Sequence, residues 1–235
     1  MAHELQIRPI AYIRTDFPTK FGIPRQAGIT GELRGKIVFE PEYRVEESLR
    51  GVEGFSHLWL IWGFSENENR RWSPTVRPPR LGGNVRMGVF ATRSPFRPNG
   101  LGLSCVRLLS AEKEKDLGVT LNVAGADMMD GTPIYDIKPY LPYADCIPEA
   151  TGGFAPDSGK RLSVEIAPEL LERLPEEKRE GLLAVLANDP RPRYQNDPER
   201  IYGFPFAGFE IRFRVEGTCL RVLEICQPPA TAGKK

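Results

Sequence analysis

The sequence predicts a mainly β fold: a closed, antiparallel-rich β-barrel followed by a small α+β C-terminal domain. Three observations carry this. Gly (23) and Pro (22) together make up about a fifth of the 235 residues, against roughly an eighth in average usage, which excludes a helical bundle or coiled coil. From residue 5 to residue 150, short β-branched and aromatic runs are broken by Gly, Pro and Asn, with no amphipathic helix of useful length between them. Past residue 160 the pattern changes to ELLERL and PEEKREGLLAVLAND, which repeat at a helical period.

Taken in order, the expected strands are Ile7–Ile13, Gly35–Phe39, His57–Phe64, Gly88–Thr92, Cys105–Ser110, Val119–Ala124 and Pro133–Ile137. Arg97–Gly100 (RPNG) and Asp130–Pro133 (DGTP) supply the positive-φ positions and preset φ of tight connections. The segment 151–160 (TGGFAPDSGK) is an exposed linker, so the division falls at residues 1–155 for the barrel and 156–235 for the appendage. A helix of about three turns follows, with Pro175 at N1, acids in its first turn, and Leu182, Leu183, Val185 and Leu186 along one face. Asp189–Pro192 (DPRP) ends it. Glu210–Val215 and Leu220–Ile225 then suit a hairpin, and the last residues, PPATAGKK, are expected to fray.

With 40% hydrophobic residues and a formal net charge of +1, the chain is neither disordered nor basic throughout, so any nucleic-acid footprint is local. No apolar run approaches the roughly 18 residues of a membrane span, and MAHELQIRPI lacks a signal peptide's apolar stretch. A soluble, cytoplasmic protein without a membrane partner is expected. Cys105, Cys146, Cys219 and Cys226 show no C-x-x-C spacing, and only His3 and His57 stand beside them. That pattern argues against zinc and for reduced, half-buried thiols, so no metal is expected.

The near-neutral total hides segregation. Between Arg70 and Arg107 lie eight arginines, no lysine and no acid, whereas residues 108–149 carry eight acids against three lysines. A planar guanidinium makes paired hydrogen bonds to phosphate and stacks on bases, so a lysine-free stripe favours recognition of a structured polyanion. The alternative for any one arginine is pairing with the acidic stretch across the barrel. Trp72, Phe90 and Phe96 lie among them, as core residues or as stacking platforms for bases.

RPPRLGGN, RSPFRPNGLGLS and ADMMDGTP contain glycines, but none makes a P-loop or a Rossmann fingerprint. His57, in FSHLWLIW without a G-x-S-x-G elbow, is a hydrogen-bonded strand histidine and not a catalyst. What is left is Arg and Asp set in Gly/Pro turns at strand ends, where loops build sites on a barrel. Asp127 and Asp130 bracket two methionines; they could accept a proton or hold a cation, or simply form an Asp-Gly turn.

FGIPRQAG (21–28), GFSHLWLIW (54–62), WSPTVRPPRLGGNVRMGVFATRSPFRPNGLGLS (72–104), DGTPIYDIKPYLPYAD (130–145) and VLANDPRPRYQ (185–195) resemble the TrmO/YaeB (TsaA-like) family. The resemblance implies a homodimeric, S-adenosylmethionine-dependent tRNA methyltransferase whose cofactor site is built on a β-barrel. It also implies a substrate, the threonylcarbamoyl-adenosine immediately 3′ of the anticodon in a threonine-accepting tRNA, methylated on its exocyclic nitrogen. By the same resemblance Pro24, Arg25 and Gln26 lie against the cofactor, Arg93 is a site arginine, and Leu103 lines the adenosine pocket. Asp127, Met128, Met129 and Asp130 close it, and Ser65 and Glu66 stand where the family carries His-Gln beside the cofactor.

On that basis Asp127 or Asp130 takes the proton from a weakly nucleophilic nitrogen or steadies the sulfonium, and Arg77, Arg80, Arg86 and Arg97 hold anticodon-loop phosphates. Two other readings compete. One is an RNA-binding barrel that performs no chemistry; the other, a nucleotide hydrolase using the acids and a divalent ion, lacks a cluster of acids in the basic segment.

Overall fold

A computed structural model describes residues 4–67, 71–156, 161–191 and 197–227. The first part contains β1 (Ala11–Arg14), β2 (Arg34–Phe39), β3 (His57–Gly63), the two-residue strands β4 (Thr75–Val76) and β5 (Met87–Gly88), β6 (Leu101–Glu114), β7 (Gly118–Ala124), β8 (Thr132–Pro139) and the short helix α1 (Pro142–Asp145). Six strands close into a barrel in the order β1-β2-β7-β6-β3-β8, each neighbour antiparallel. Period-two alternation explains the closure: in β3, Leu58, Leu60 and Trp62 are buried in the barrel while Trp59 and Ile61 face out half-buried. Ile13, Ile37, Leu121, Val123 and Ile134 fill the same core.

The second part contains β9 (Ser163–Glu165), α2 (Pro168–Leu171), α3 (Glu176–Ala187), β10 (Tyr202–Phe206), β11 (Phe209–Glu216) and β12 (Cys219–Cys226). Its sheet runs β10-β11-β12-β9, with β9 parallel to β12. Leu182, Val185 and Leu186 of α3 pack on Phe204, Phe213 and Leu220, and Phe17 and Leu33 from the first part belong to this core as well. The two parts therefore share apolar residues.

Several expected elements move. The first strand starts at Ala11, not Ile7. Gly88–Thr92 is not a strand: after β5 the backbone turns through a 3-10 segment, Val89–Ala91, that buries Val89 and leaves Phe90 73% exposed. Val89 N–H bonds Pro74 O (3.0 Å) in continuation of the β4–β5 register, but Pro74 has no N–H to return the bond and Val89 O is taken by the Thr92 N–H (3.1 Å), so the ladder stops and the chain turns. Pro175 is the N-cap of α3 rather than its first residue. The strands β9 and β10 were not among the expected ones; Pro205 sits within β10, which is tolerable because β10 is a sheet edge. The four cysteines are free, three of them half-buried and Cys146 exposed. Among the described residues no helix is long and apolar enough to cross a membrane.

Candidate functional site

Strand order dictates which loops meet. Gly63 at the end of β3 pairs with Leu101 at the start of β6, and β1 ends beside the start of β8. One rim of the barrel therefore gathers the loop after β1 (the 21–28 segment), the excursion 64–100, and the 125–131 connection between β7 and β8. Ser65 and Glu66 lie on this rim, where Phe64 N–H bonds Gly100 O at 3.0 Å.

Asp127 is the junction. Ser104 Oγ donates to its Oδ1 at 2.5 Å, and that same hydroxyl accepts a bond from Trp62 Nε1 at 2.9 Å. The backbone N–H of Ala27, in the 21–28 loop, faces the carboxylate and favours its ionised form, and Arg93 lies close enough to act on it by charge. Burial pushes the Asp127 carboxyl up from its ordinary value, while Ser104, Ala27 and Arg93 pull against that rise. A Cβ on Gly102 would collide with the Trp62 indole, so the glycine before Leu103 is what admits the tryptophan beside Ser104. Arg93 also donates to Gln26 Oε1. Three segments distant in sequence thus converge on one half-buried carboxyl.

Asp130 does something different. Its Oδ1 accepts the Thr15 N–H at 3.0 Å, its Oδ2 lies 3.6 Å from Arg14 Nη1, and its own N–H bonds Phe17 O at 2.8 Å. Thr15 Oγ1 reaches Met128 O at 3.1 Å. These contacts tie the end of β1 to the start of β8. The Met128 side chain is buried in the barrel core, whereas Met129 is half-buried and accepts two bonds from Thr132. Pro24 is buried, Arg25 is exposed and Gln26 is half-buried. Leu103 alternates with the inward Ser104 and so stands on the outer wall, 54% exposed.

Among the arginines, Arg77 and Arg86 are exposed and adjoin the Val76–Met87 pair at the tip side of the β4–β5 ribbon. Arg80 is half-buried. Arg97 Nη1 is bound to the carbonyls of Val89 (3.2 Å) and Thr92 (2.7 Å), and its guanidinium lies 5.6 Å from the Phe90 ring centroid, so this arginine braces the turn that displays Phe90. A cavity of about 480 Å³ opens at the opposite end of the barrel, between Ile10, Phe39, Tyr43, Leu49, Leu58 and Ile137, and none of the site residues expected from sequence lines it. Sequence reasoning passed over Ser104, Trp62 and Ala27, although Ser104 closes the GLGLS string; a buried serine gives no periodic signal.

The family model described as tRNA-methyltransferase O N-terminal domain matches residues 12–146, and one described as TrmO C-terminal domain matches residues 159–228. The chain is 42% identical over 219 residues to the tRNA (adenine(37)-N6)-methyltransferase of Escherichia coli (strain K12), covering 89% of this chain and 93% of that protein. It is 40% identical over 228 residues to the putative S-adenosylmethionine-dependent methyltransferase RcsF of Pseudomonas aeruginosa, covering 93% and 96%. A crystal structure of TrmO from Pseudomonas aeruginosa superposes with a TM-score of 0.75 at 34% identity, over 96% of this chain and 100% of that one.

Proposed function

Because the chain belongs to the TrmO family, matched across both of its parts, we infer that it is a tRNA (adenine-N6)-methyltransferase that uses S-adenosylmethionine. Its substrate in this reading is threonylcarbamoyl-adenosine, 3′ of the anticodon in a threonine-accepting tRNA, and it works as a homodimer. The observation that carries the reading is the convergence on Asp127 of the 21–28 loop, the arginine-rich excursion and β6.

The rim residues fit such a donor. A half-buried carboxyl suits a cationic sulfonium or ammonium, Gln26 and Arg93 offer hydrogen-bonding edges for ribose, adenine or carboxylate, and the exposed Leu103 offers an apolar face. When bound, S-adenosylmethionine supplies an electrophilic methyl on sulfur. The chain's own residues orient the acceptor and manage its proton. The exocyclic nitrogen, conjugated with both purine and carbamoyl, is a weak nucleophile, so in-line alignment matters most. Asp127, with its carboxyl held up by burial, accepts that nitrogen's proton more readily than an ordinary aspartate would. Trp62 and Ser104 fix the carboxyl's orientation. Asp130 holds the loop in place through Thr15 and Arg14.

Arg77, Arg80 and Arg86 supply phosphate contacts, and the exposed Phe90 ring, braced by Arg97, is a stacking surface for an unpaired base. Leu103 lies on the outer wall, so a pocket over it needs a second surface, which a second copy provides. The division at residues 155/156 belongs to the same reading, the barrel carrying the chemistry. The test is direct: incubate the purified chain with S-adenosylmethionine and tRNA bearing threonylcarbamoyl-adenosine, and analyse the nucleosides by mass spectrometry. One added methyl on that nucleoside, absent with the unmodified adenosine, supports the assignment; tRNA binding without methyl transfer would leave a binding module.

A further inference from the structure

The 21–28 loop is held from two sides, and the division follows the sequence. Phe21 and Ile23 pack on the core of the C-terminal part, and the Phe21 ring meets Phe204 edge-on at 6.2 Å. Gly22 has φ +91, and a Cβ there would collide with the Phe204 ring. Arg25 Nη2 donates to Arg191 O at 2.9 Å. That carbonyl belongs to a built turn: Arg191 is 8% exposed, its guanidinium bonds both oxygens of Asp189 (2.8 and 3.0 Å), and Asp189 itself sits at φ +52. Gln26 and Gly28 instead bond the barrel side, through Arg93 and Gly125 O, and the Ala27 N–H faces Asp127.

We propose that the C-terminal part is a clamp that holds the 21–28 loop in the shape that binds the methyl donor, so that Asp189, Arg191 and Phe204, all outside the barrel, set affinity for S-adenosylmethionine. The inference rests on the reading that this loop meets the donor. An unclamped loop must be ordered by the ligand, and ordering backbone lowers affinity. The neighbouring contacts reinforce the clamp: Phe17 meets Phe206 at 5.4 Å, Lys178 Nζ lies 2.8 Å from Asp16 Oδ1, and Ala207 N–H bonds Asp16 O at 2.9 Å.

The experiment uses the full chain. Calorimetry with S-adenosylmethionine, filter binding of tRNA and steady-state kinetics are compared for wild type, Asp189→Ala, Asp189→Asn and Gly22→Ala, with Gln26→Ala and Arg93→Ala as site controls and hydrogen exchange across 21–28. Asp189→Ala and Gly22→Ala should weaken donor binding about tenfold, raise the donor KM to match and speed exchange in the loop; Asp189→Ala, outside the loop, should also leave tRNA affinity and kcat at saturating donor within about twofold. Asp189→Asn, which tolerates positive φ and keeps a hydrogen bond to Arg191, should restore most of the affinity. Unchanged donor affinity in both disrupting variants, with Gln26→Ala or Arg93→Ala still lowering it, overturns the clamp and leaves the site standing. Full donor affinity in Gln26→Ala and Arg93→Ala overturns the site and the clamp together.

Discussion

Replacing Ser104 with alanine isolates the polar chain beneath Asp127. The hydroxyl makes two bonds at once, donating to Asp127 Oδ1 (2.5 Å) and accepting from Trp62 Nε1 (2.9 Å), and Ser104 is 2% exposed. Loss of a hydrogen bond to a charged group costs about 1.5–3 kcal/mol, and a buried donor left unpaired costs about 1–3 kcal/mol. The two losses are not additive, so a destabilisation of about 3 kcal/mol at neutral pH is expected, or about 6–12 °C in Tm for a chain of this size.

The pH dependence separates the two parts. The folded-state pKa of Asp127 is raised, chiefly by burial, above the ordinary 3.8. Between the two values the native state binds more protons than the unfolded state, so this group's contribution to stability falls as pH rises through the window and stays lowered above it. Ser104→Ala removes a donor from the ionised form and pushes the folded value further up. The deficit against wild type should therefore be smallest near about pH 4 and grow towards neutrality, a trend that follows from this linkage. Calorimetric unfolding across that range, repeated in an Asp127→Asn background, reads it directly; there the serine donates to a neutral amide oxygen instead of a carboxylate, so its loss costs less and no longer varies with the titration of this group, giving a coupling of about 1–2 kcal/mol. A deficit independent of pH, or no coupling, would refute the role assigned to Ser104.

Asp127→Asn should slow single-turnover methylation about 10²–10⁴-fold while raising stability more at neutral than at acid pH, since it removes a buried charge; unaltered turnover would leave alignment alone to carry catalysis. Asp130→Asn should lower Tm through Thr15 and Arg14 and keep turnover within a few-fold, as comparison of melting curves and rates will show. Joint replacement of Arg77 and Arg86 by alanine should weaken tRNA binding and reduce the slope of log K against log salt by about 1–2 without altering donor affinity; an unchanged slope would assign them to structure. Arg97→Lys cannot bridge Val89 O and Thr92 O with the same planar group, so it should lower Tm and leave that slope nearly as it was.

Strands were legible wherever one face is buried. HLWLIWG alternates so strictly that β3 is found within a residue, and the PEEKREGLLAVLA helix within one residue of its start. Val89–Ala91 has the composition of a strand but is a turn, because Thr92 and Arg97 claim the Val89 carbonyl and Pro74 opposite it has no N–H to extend the ladder. β9, three residues long, carries too little pattern to be heard above its surroundings, and β10 is disguised by Gly203 and Pro205. At the site, family motifs mark the stretches containing Gln26, Arg93 and Asp127, but a motif lists residues without dividing labour among them. Asp127 and Asp130 look alike in ADMMDG; one accepts from Ser104 of β6 and faces the 21–28 loop, the other caps the end of β1.

Periodicity, turn residues and the lysine-free arginine stripe are local properties, and from them came the barrel, the appended α+β part and the basic excursion. Partnerships are not local. Thr15 meets Asp130 across 115 positions and Arg25 meets Arg191 across 166, contacts that exist only once the barrel has closed and the second core has formed around Phe17 and Leu33. Closure and register set which rim a loop joins, and burial then sets how strongly a carboxyl holds its proton; neither quantity is a property of any short stretch of chain.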